Sequence, residues 1–149
     1  MDNKFIRTEM LIGKEALEKL KNSKVMIFGI GGVGSFVAEA IARCAVGEII
    51  LVDSDVISIS NINRQIHANC KSVGKYKVEE MRSRILDINP DAKVKCYTNF
   101  FLPGEESIID KDCDYIIDAI DTVSGKLGII VEAKRLSIPV ISSMGTGNK

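Results

Sequence analysis

Residues 25–28, 49–52 and 115–117 are continuous apolar runs, too short for buried helices and closed by Gly29, Asp53 and Asp118. They predict strands, the first of them a central parallel strand buried on both faces. Weaker strands are expected at 93–97, where Val94 and Cys96 alternate with polar residues, and at 139–141, running into Gly145-Thr146-Gly147. Between the runs the apolar spacing becomes helical. Ala16, Leu17 and Leu20 mark a short helix over 13–21, and Val33, Val37, Ala40 and Ile41 mark another over 32–44. Val78, Met81, Ile85 and Leu86 form the inward stripe of a helix over 74–88, stopped by Asn89-Pro90. A short helix is expected over 103–110, with Pro103 in its first turn. A longer one over 123–137 carries Gly125 and Gly128, each costing up to about 1 kcal/mol against alanine. Residues 54–72 form a long polar connection without periodicity, and such connections are usually functional or disordered.

Strands alternating with helices imply an α/β fold: a Rossmann-like, doubly wound, mainly parallel sheet with right-handed crossovers and its ligand at the carboxyl ends of the strands. The 149 residues fit a single domain, and the sheet stops directly after its last strand and glycine turn. Residues 1–149 are therefore expected to be the N-terminal part of a longer domain.

With 46% hydrophobic and 27% charged residues the chain reads as soluble and globular. Lys plus Arg equals Asp plus Glu at 20 each, so any nucleic-acid or membrane partner must be argued from a local site. No apolar stretch approaches the roughly 20 residues of a membrane span, and the N-terminus lacks the apolar core of a signal peptide. Cytoplasm is the expected compartment. Cys44, Cys70, Cys96 and Cys113 contain no C-x-x-C pair and are expected to be buried or half-buried free thiols, not a zinc or redox site.

The chemistry concentrates in two places. Gly29-Ile30-Gly31-Gly32-Val33-Gly34 is a G-x-G-x-x-G turn between a strand and a helix. Gly29 suits the tight turn, Gly31 and Gly32 the approach of a phosphate, and Gly34 close helix–strand packing. About 20 residues further on, Asp53 stands where a carboxylate accepts ribose hydroxyls, with a loop cap as the alternative. Asp55 is a second candidate for the ribose, although only one of the pair reaches it easily.

The second place is Asn61-Ile62-Asn63-Arg64-Gln65, with Lys77 beyond it. A dinucleotide needs only the glycine turn and a helix N-terminus, so an added Arg64 and Lys77 suit a longer phosphate chain and the charge on a leaving pyrophosphate. Taken singly, each reads first as solvated surface. Asn61 and Gln65 would add neutral donors. Asp118 and Asp121 flank the end of the fourth strand, where a carboxylate beside phosphates implies magnesium. Asp121 is the better magnesium candidate, with helix capping as its other role. His67, the single histidine, either lines the cleft or holds an ordinary loop partner.

Six ordered segments together resemble the ThiF/MoeB/HesA family, bacterial relatives of ubiquitin-activating enzymes. They are Gly29 to Ser35, Val52-Asp53-Ser54-Asp55, Asn61 to Gln65, Val73-Gly74-Lys75-Tyr76-Lys77-Val78, Ile88-Asn89-Pro90 and Asp118-Ala119-Ile120-Asp121. The resemblance implies ATP-dependent adenylation of a carboxylate. Gly31 would approach the nucleotide, Asp53 hold the ribose, Asn61, Arg64 and Lys77 contact phosphates, and Asp121 associate with Mg2+. It further implies a homodimer in which Arg7 of one subunit reaches the other's ATP, and a chain that continues past residue 149.

Within the family, Gln65-Ile66-His67-Ala68 and Leu11 to Leu17 look most like the tRNA threonylcarbamoyladenosine dehydratases, whose substrate is a modified tRNA. The alternative is an adenylyltransferase for a ubiquitin-like sulfur-carrier protein ending in Gly-Gly. Outside those two, an NAD-dependent oxidoreductase would bind NAD and be indifferent to loss of Arg64 or Lys77. A nucleotide-sensing module would bind ATP without forming AMP.

Overall fold

A computed structural model describes residues 3–102, 104 and 108–144. Among them, β1 (Lys24–Phe28), β2 (Glu48–Val52), β3 (Lys93–Tyr97), β4 (Tyr115–Asp118) and β5 (Val140–Ser142) form one parallel sheet in the order β3-β2-β1-β4-β5. The chain runs outward from β1 through β2 and β3, then crosses back to lay β4 against the other side of β1. That reversal of strand order is where open α/β sheets take their ligands.

Successive residues on a strand face opposite ways, and here both faces are covered. Val25 and Ile27 of β1, with Ile49 and Leu51 of β2, pack towards α3 (Gly34–Arg43) and α4 (Lys77–Ile88). Met26, Phe28, Ile50 and Val52 pack with Ile116, Ile129 and Ala133, the last two on α5 (Val123–Arg135). Burial on two sides is why these strands read as unbroken apolar runs.

The expected elements recur with instructive differences. α4 begins at Lys77, three residues later than its periodicity predicts, and buries Val78, Met81 and Ile85 with Leu86 half-buried. α3 begins at Gly34 and does not bury the predicted stripe: Val33 and Ala40 face solvent, and Val37 and Ile41 are half-buried. Its buried residues are Gly34, Ser35, Ala38 and Ala42, small enough to let the helix lie close to the sheet, together with Glu39, which is paired with Arg43 and Arg84. A methyl group on Gly125 in α5 would meet the side-chain tips of Ile120 at 2.6 Å and Thr122 at 2.7 Å, which can shift to admit it.

Two N-terminal helices, α1 (Ile6–Ile12) and α2 (Lys14–Lys21), precede β1, and only α2 is legible in the sequence. α1 exposes Met10 and Leu11, so no inward stripe marks it, while Phe5 anchors it beside Leu17 and Ala45. The expected helix over 103–110 includes 103 and 105–107, which lie outside the described residues, as does the glycine turn at 145–147. No described helix is long and apolar enough to cross a membrane.

Two polar braces fix the strand ends that carry the site. Asp118, fully buried at the end of β4, accepts from Lys126 Nζ of α5 at 3.1 Å and from the Ser142 hydroxyl of β5. Lys126 also donates to the Ser143 carbonyl at 2.7 Å, so one buried ion pair ties β4, β5 and α5 together. The second brace holds the Ile30 peptide from both sides. Its N–H donates to Asp53 Oδ2 at 2.7 Å and its carbonyl accepts from His67 Nε2 at 2.8 Å. That bond sets the Nε2–H tautomer of a buried imidazole whose Nδ1 has no partner among the described residues. Burial pushes the His67 pKa below its ordinary value; the Ile30 carbonyl opposes this and the Lys77 charge adds to it.

Both braces make measurable predictions. Lys126→Met leaves the Asp118 carboxylate buried and unpaired, so urea unfolding is expected to show a loss of about 3–5 kcal/mol. Adding Asp118→Asn should recover part of it. For His67, the unfolded chain takes up a proton near the ordinary histidine value of about 6.5 while the folded chain resists. Stability therefore falls as pH drops below about 6.5, and continues to fall until the depressed folded value is passed. Thermal unfolding followed from about pH 8 to about pH 5 should show this slope, and His67→Gln should flatten it.

Candidate functional site

A cleft of about 590 Å³ opens at the carboxyl ends of β1, β2 and β4. Its floor is the turn between β1 and α3, where four glycines play two different parts. Gly29 has φ +86° and a methyl group on it would lie 2.7 Å from the Ala119 carbonyl. At Gly34 the same methyl would lie 1.7 Å from the Gly29 carbonyl. Both are therefore demanded by packing, and Gly34 does not line the cleft. At Gly31 a methyl would meet only Gln65 Nε2 at 3.8 Å, and at Gly32 only Arg64 atoms from 3.6 Å, which are ordinary contacts. Neither glycine is needed for packing, so the bare backbone there leaves room for what the cleft receives.

The remaining candidates converge on this floor from separate segments. Asp53, Asp55, Asn61, Arg64, Gln65, Lys77 and Asp121 all line the same cleft. Asp53 is first a structural brace: its two oxygens accept from Ile30 N–H at 2.7 Å and Asp55 N–H at 2.8 Å. A carboxylate has about four lone-pair sites, so acceptor capacity remains for ribose hydroxyls. The long connection after β2 is ordered by a 3-10 turn, Ile59–Asn61, in which Asn61 Oδ1 accepts from Ser58 N–H at 2.9 Å.

Arg64 lays its aliphatic stem over Gly32 and turns its guanidinium onto the Ser60 carbonyl at 2.8 Å and Asn63 Oδ1 at 3.0 Å. Gln65 is buried beside Gly31, with Oε1 unpartnered among the described residues. Lys77, at the first position of α4, is nearly buried and donates to Asp55 Oδ2 at 2.7 Å.

Asp121 is exposed and lines the cleft just past the Ala119-Ile120 segment that abuts Gly29. The N-cap of α5 is Thr122, so Asp121 does not take the capping role that its sequence position allowed. The described residues hold no cluster of three or more His, Cys, Asp or Glu able to cage a metal. One exposed carboxylate fits Mg2+, which keeps most of its waters and is shared with substrate phosphates. Arg7 is exposed on α1 and lies outside this cleft.

Sequence reasoning missed the far wall. Asn99, Phe100 and Phe101 follow β3, and Ser143 and Met144 follow β5. Phe101 is buried edge-on against Phe28, with ring centroids 5.1 Å apart, while Phe100 is half-exposed. Their one available signal was position, just past the carboxyl ends of strands.

The cysteines depart partly from expectation. Cys113 is buried and Cys96 half-buried, and burial pushes both thiols up to about 12, so neither is a thiolate at neutral pH. Cys44 and Cys70 are exposed, one ending α3 and one in the long loop, and no cysteine is among the residues lining the cleft.

A bare glycine turn, two cations and three carboxylates around one cleft can hold a nucleotide with a long phosphate chain. Comparison with known proteins agrees. A tRNA threonylcarbamoyladenosine dehydratase of Bacillus subtilis is 49% identical over 150 residues, spanning all of this chain and 59% of that protein. The crystal structure of the E. coli tRNA N6-threonylcarbamoyladenosine dehydratase in complex with ATP superposes with a TM-score of 0.91 at 39% identity, over 98% of this chain and 60% of that one. An adenylyltransferase and sulfurtransferase of Vanderwaltozyma polyspora is 35% identical over 92% of this chain and 31% of its own length. The chain thus spans about six-tenths of the length of these two dehydratases. Residues 5–149 match the ThiF family as a whole, and with the ordered glycine turn, acidic strand end and Asn-x-x-Arg-Gln loop meeting in one cleft, this chain belongs to the ThiF family.

Proposed function

We propose that this protein is an ATP-dependent tRNA threonylcarbamoyladenosine dehydratase acting in the cytoplasm. The observation that carries the reading is that Arg64 and Lys77 line one cleft with the Gly31–Gly32 turn, whose backbone is not demanded by packing. Two cations there suit a triphosphate whose pyrophosphate departs. The choice of acyl substrate rests on the relatives: the match to the dehydratase of Bacillus subtilis is 49% identical, against 35% for the adenylyltransferase and sulfurtransferase.

In the proposed reaction the threonylcarbamoyl carboxylate attacks the α-phosphorus of ATP. The bond from that phosphorus to the bridging oxygen breaks, and pyrophosphate leaves. A group within the same threonylcarbamoyl unit then attacks the activated acyl carbon, expelling AMP and closing a ring. The second step is intramolecular, gains from proximity and needs no protein nucleophile. Asp53 would hold the ribose with its spare lone pairs, Asn61 and Gln65 would add neutral contacts, and Arg64 and Lys77 would neutralise the phosphates. Asp121 would share Mg2+ with the phosphates. Arg7 would act across a homodimer, reaching the partner's cleft from α1, since it is not among the residues lining its own. The second reading, adenylation of a ubiquitin-like sulfur-carrier protein, uses the same cleft and differs only in the acyl donor.

AMP release from ATP and magnesium by the full-length protein separates the two. Release with threonylcarbamoyl-modified tRNA and not with unmodified tRNA is the expected result. Release only with a carrier protein ending in Gly-Gly would replace it. Arg64→Ala should slow adenylation about tenfold or more beyond any loss in nucleotide affinity, because its charge is needed as pyrophosphate leaves. Equal losses in both would remove that role. Mixing Arg7→Ala with Asp121→Ala subunits should restore up to about a quarter of the activity, since half the dimers then hold one intact site in two.

A further inference from the structure

The segment after β2 and the entry to α4 lie side by side as a short antiparallel ribbon. Ile57 N–H donates to the Lys75 carbonyl at 2.8 Å, Gly74 N–H to the Ile57 carbonyl at 2.8 Å, and Lys77 N–H to the Asp55 carbonyl at 3.1 Å. Val56 faces Tyr76 in the same register. The ribbon thereby sets Asp55 beside Lys77 and leaves both side chains on the cleft.

Lys77 is badly placed for stability. It is the first residue of α4, where the helix dipole is positive and a cation is disfavoured. Its side chain is only 8% exposed, so its ammonium has lost most of its hydration. The compensation is Asp55 Oδ2 at 2.7 Å, on a side chain that is 63% exposed. The two partners are therefore unequal. Asp55 can swing into water and rehydrate, whereas the buried stem of Lys77 keeps its ammonium where it is.

We propose that Asp55 is an exchangeable counter-ion for Lys77, holding the lysine in position in the free protein and yielding it to the phosphate chain of a bound nucleotide, and that it is not a ribose ligand. The proposal rests on the cleft being a site for ATP. Asp55 acts here as a positioning residue, and its carboxylate and the phosphates compete for one ammonium. Removing the competitor favours the phosphates, by an amount that grows with their number. A ribose ligand behaves in the opposite way, since its loss weakens every nucleotide alike.

Calorimetric titration of the protein without acyl substrate, using magnesium-ATP, AMP and adenosine, distinguishes these. Asp55→Asn is expected to tighten ATP about three- to tenfold, tighten AMP less and leave adenosine unchanged. Asp55→Glu, which keeps a carboxylate within reach of Lys77, should stay within about twofold of the wild type. In a Lys77→Met background the gain from Asp55→Asn should shrink. Weaker ATP binding, no change in ATP binding, a parallel change with adenosine, or an undiminished gain without Lys77 would each overturn the counter-ion role. Thermal unfolding checks each variant, and Asp55→Ser carries the same test should Asp55→Asn fail to fold. Wild-type protein that binds neither ATP nor AMP would instead overturn the nucleotide reading of the cleft.

Discussion

The contact between Gly34 and the Gly29 carbonyl sets the geometry on which the site depends. With no side chain at 34, the first turn of α3 rests directly on the loop that leaves β1. The helix then lies close enough to the sheet for Ser35, Ala38 and Ala42 to be buried, and its N-terminal amides lie over the strand ends. Gly29 makes the same demand from the other side, taking a left-handed conformation against Ala119 at the end of β4. β1, α3 and β4 therefore meet at one point, and strand order reverses at that point. The cleft follows from that packing.

Most charged groups around the cleft are already partnered within the protein. Lys77 rests on Asp55, Arg64 on Ser60 and Asn63, and Asp53 on two backbone amides. This reconciles folding with binding most clearly at Lys77, because an unpaired charge on that buried side chain would cost the free protein several kcal/mol. The partners differ in kind. Those of Asp53 are backbone amides of ordered segments, whereas those of Arg64 and Lys77 include exposed side chains that can turn away. A ligand entering such a site would exchange partners without having to create order. The braces on Ile30 and Asp118 would hold the frame during that exchange.

The sequence carried the strands and nearly every cation and carboxylate of the cleft, because those signals are local. An apolar run closed by glycine or aspartate marks a strand end, and ligands sit at strand ends. Less legible was whatever depends on a neighbour. The buried face of α3 is its small-residue face, which a search for large apolar residues passes over in favour of Val33. Asp53 is a carboxylate at the ribose position, but its grip on Ile30 needs the folded turn to be seen. Phe100 and Phe101 have no periodicity of their own, and α1 buries too little to show one. His67 was one loop histidine among possible partners until the fold brought it 2.8 Å from the Ile30 carbonyl.

Under either proposed reading the same cleft would adenylate the acyl donor, and the two readings differ in that donor and in the step that follows adenylation. A route through a protein thioester needs a thiolate near the activated carboxylate. Among the described residues, Cys96 and Cys113 carry thiols pushed up to about 12, Cys44 and Cys70 are exposed, and none lines the cleft. A route in which the substrate closes on itself makes no such demand. It asks the protein only to bind ATP, neutralise the departing pyrophosphate and hold the acyl group still. Under the proposed function, Asp53, Arg64 and Lys77 would meet the first two of those demands, and the third would fall to other walls of the cleft, where Phe100 and Met144 stand exposed.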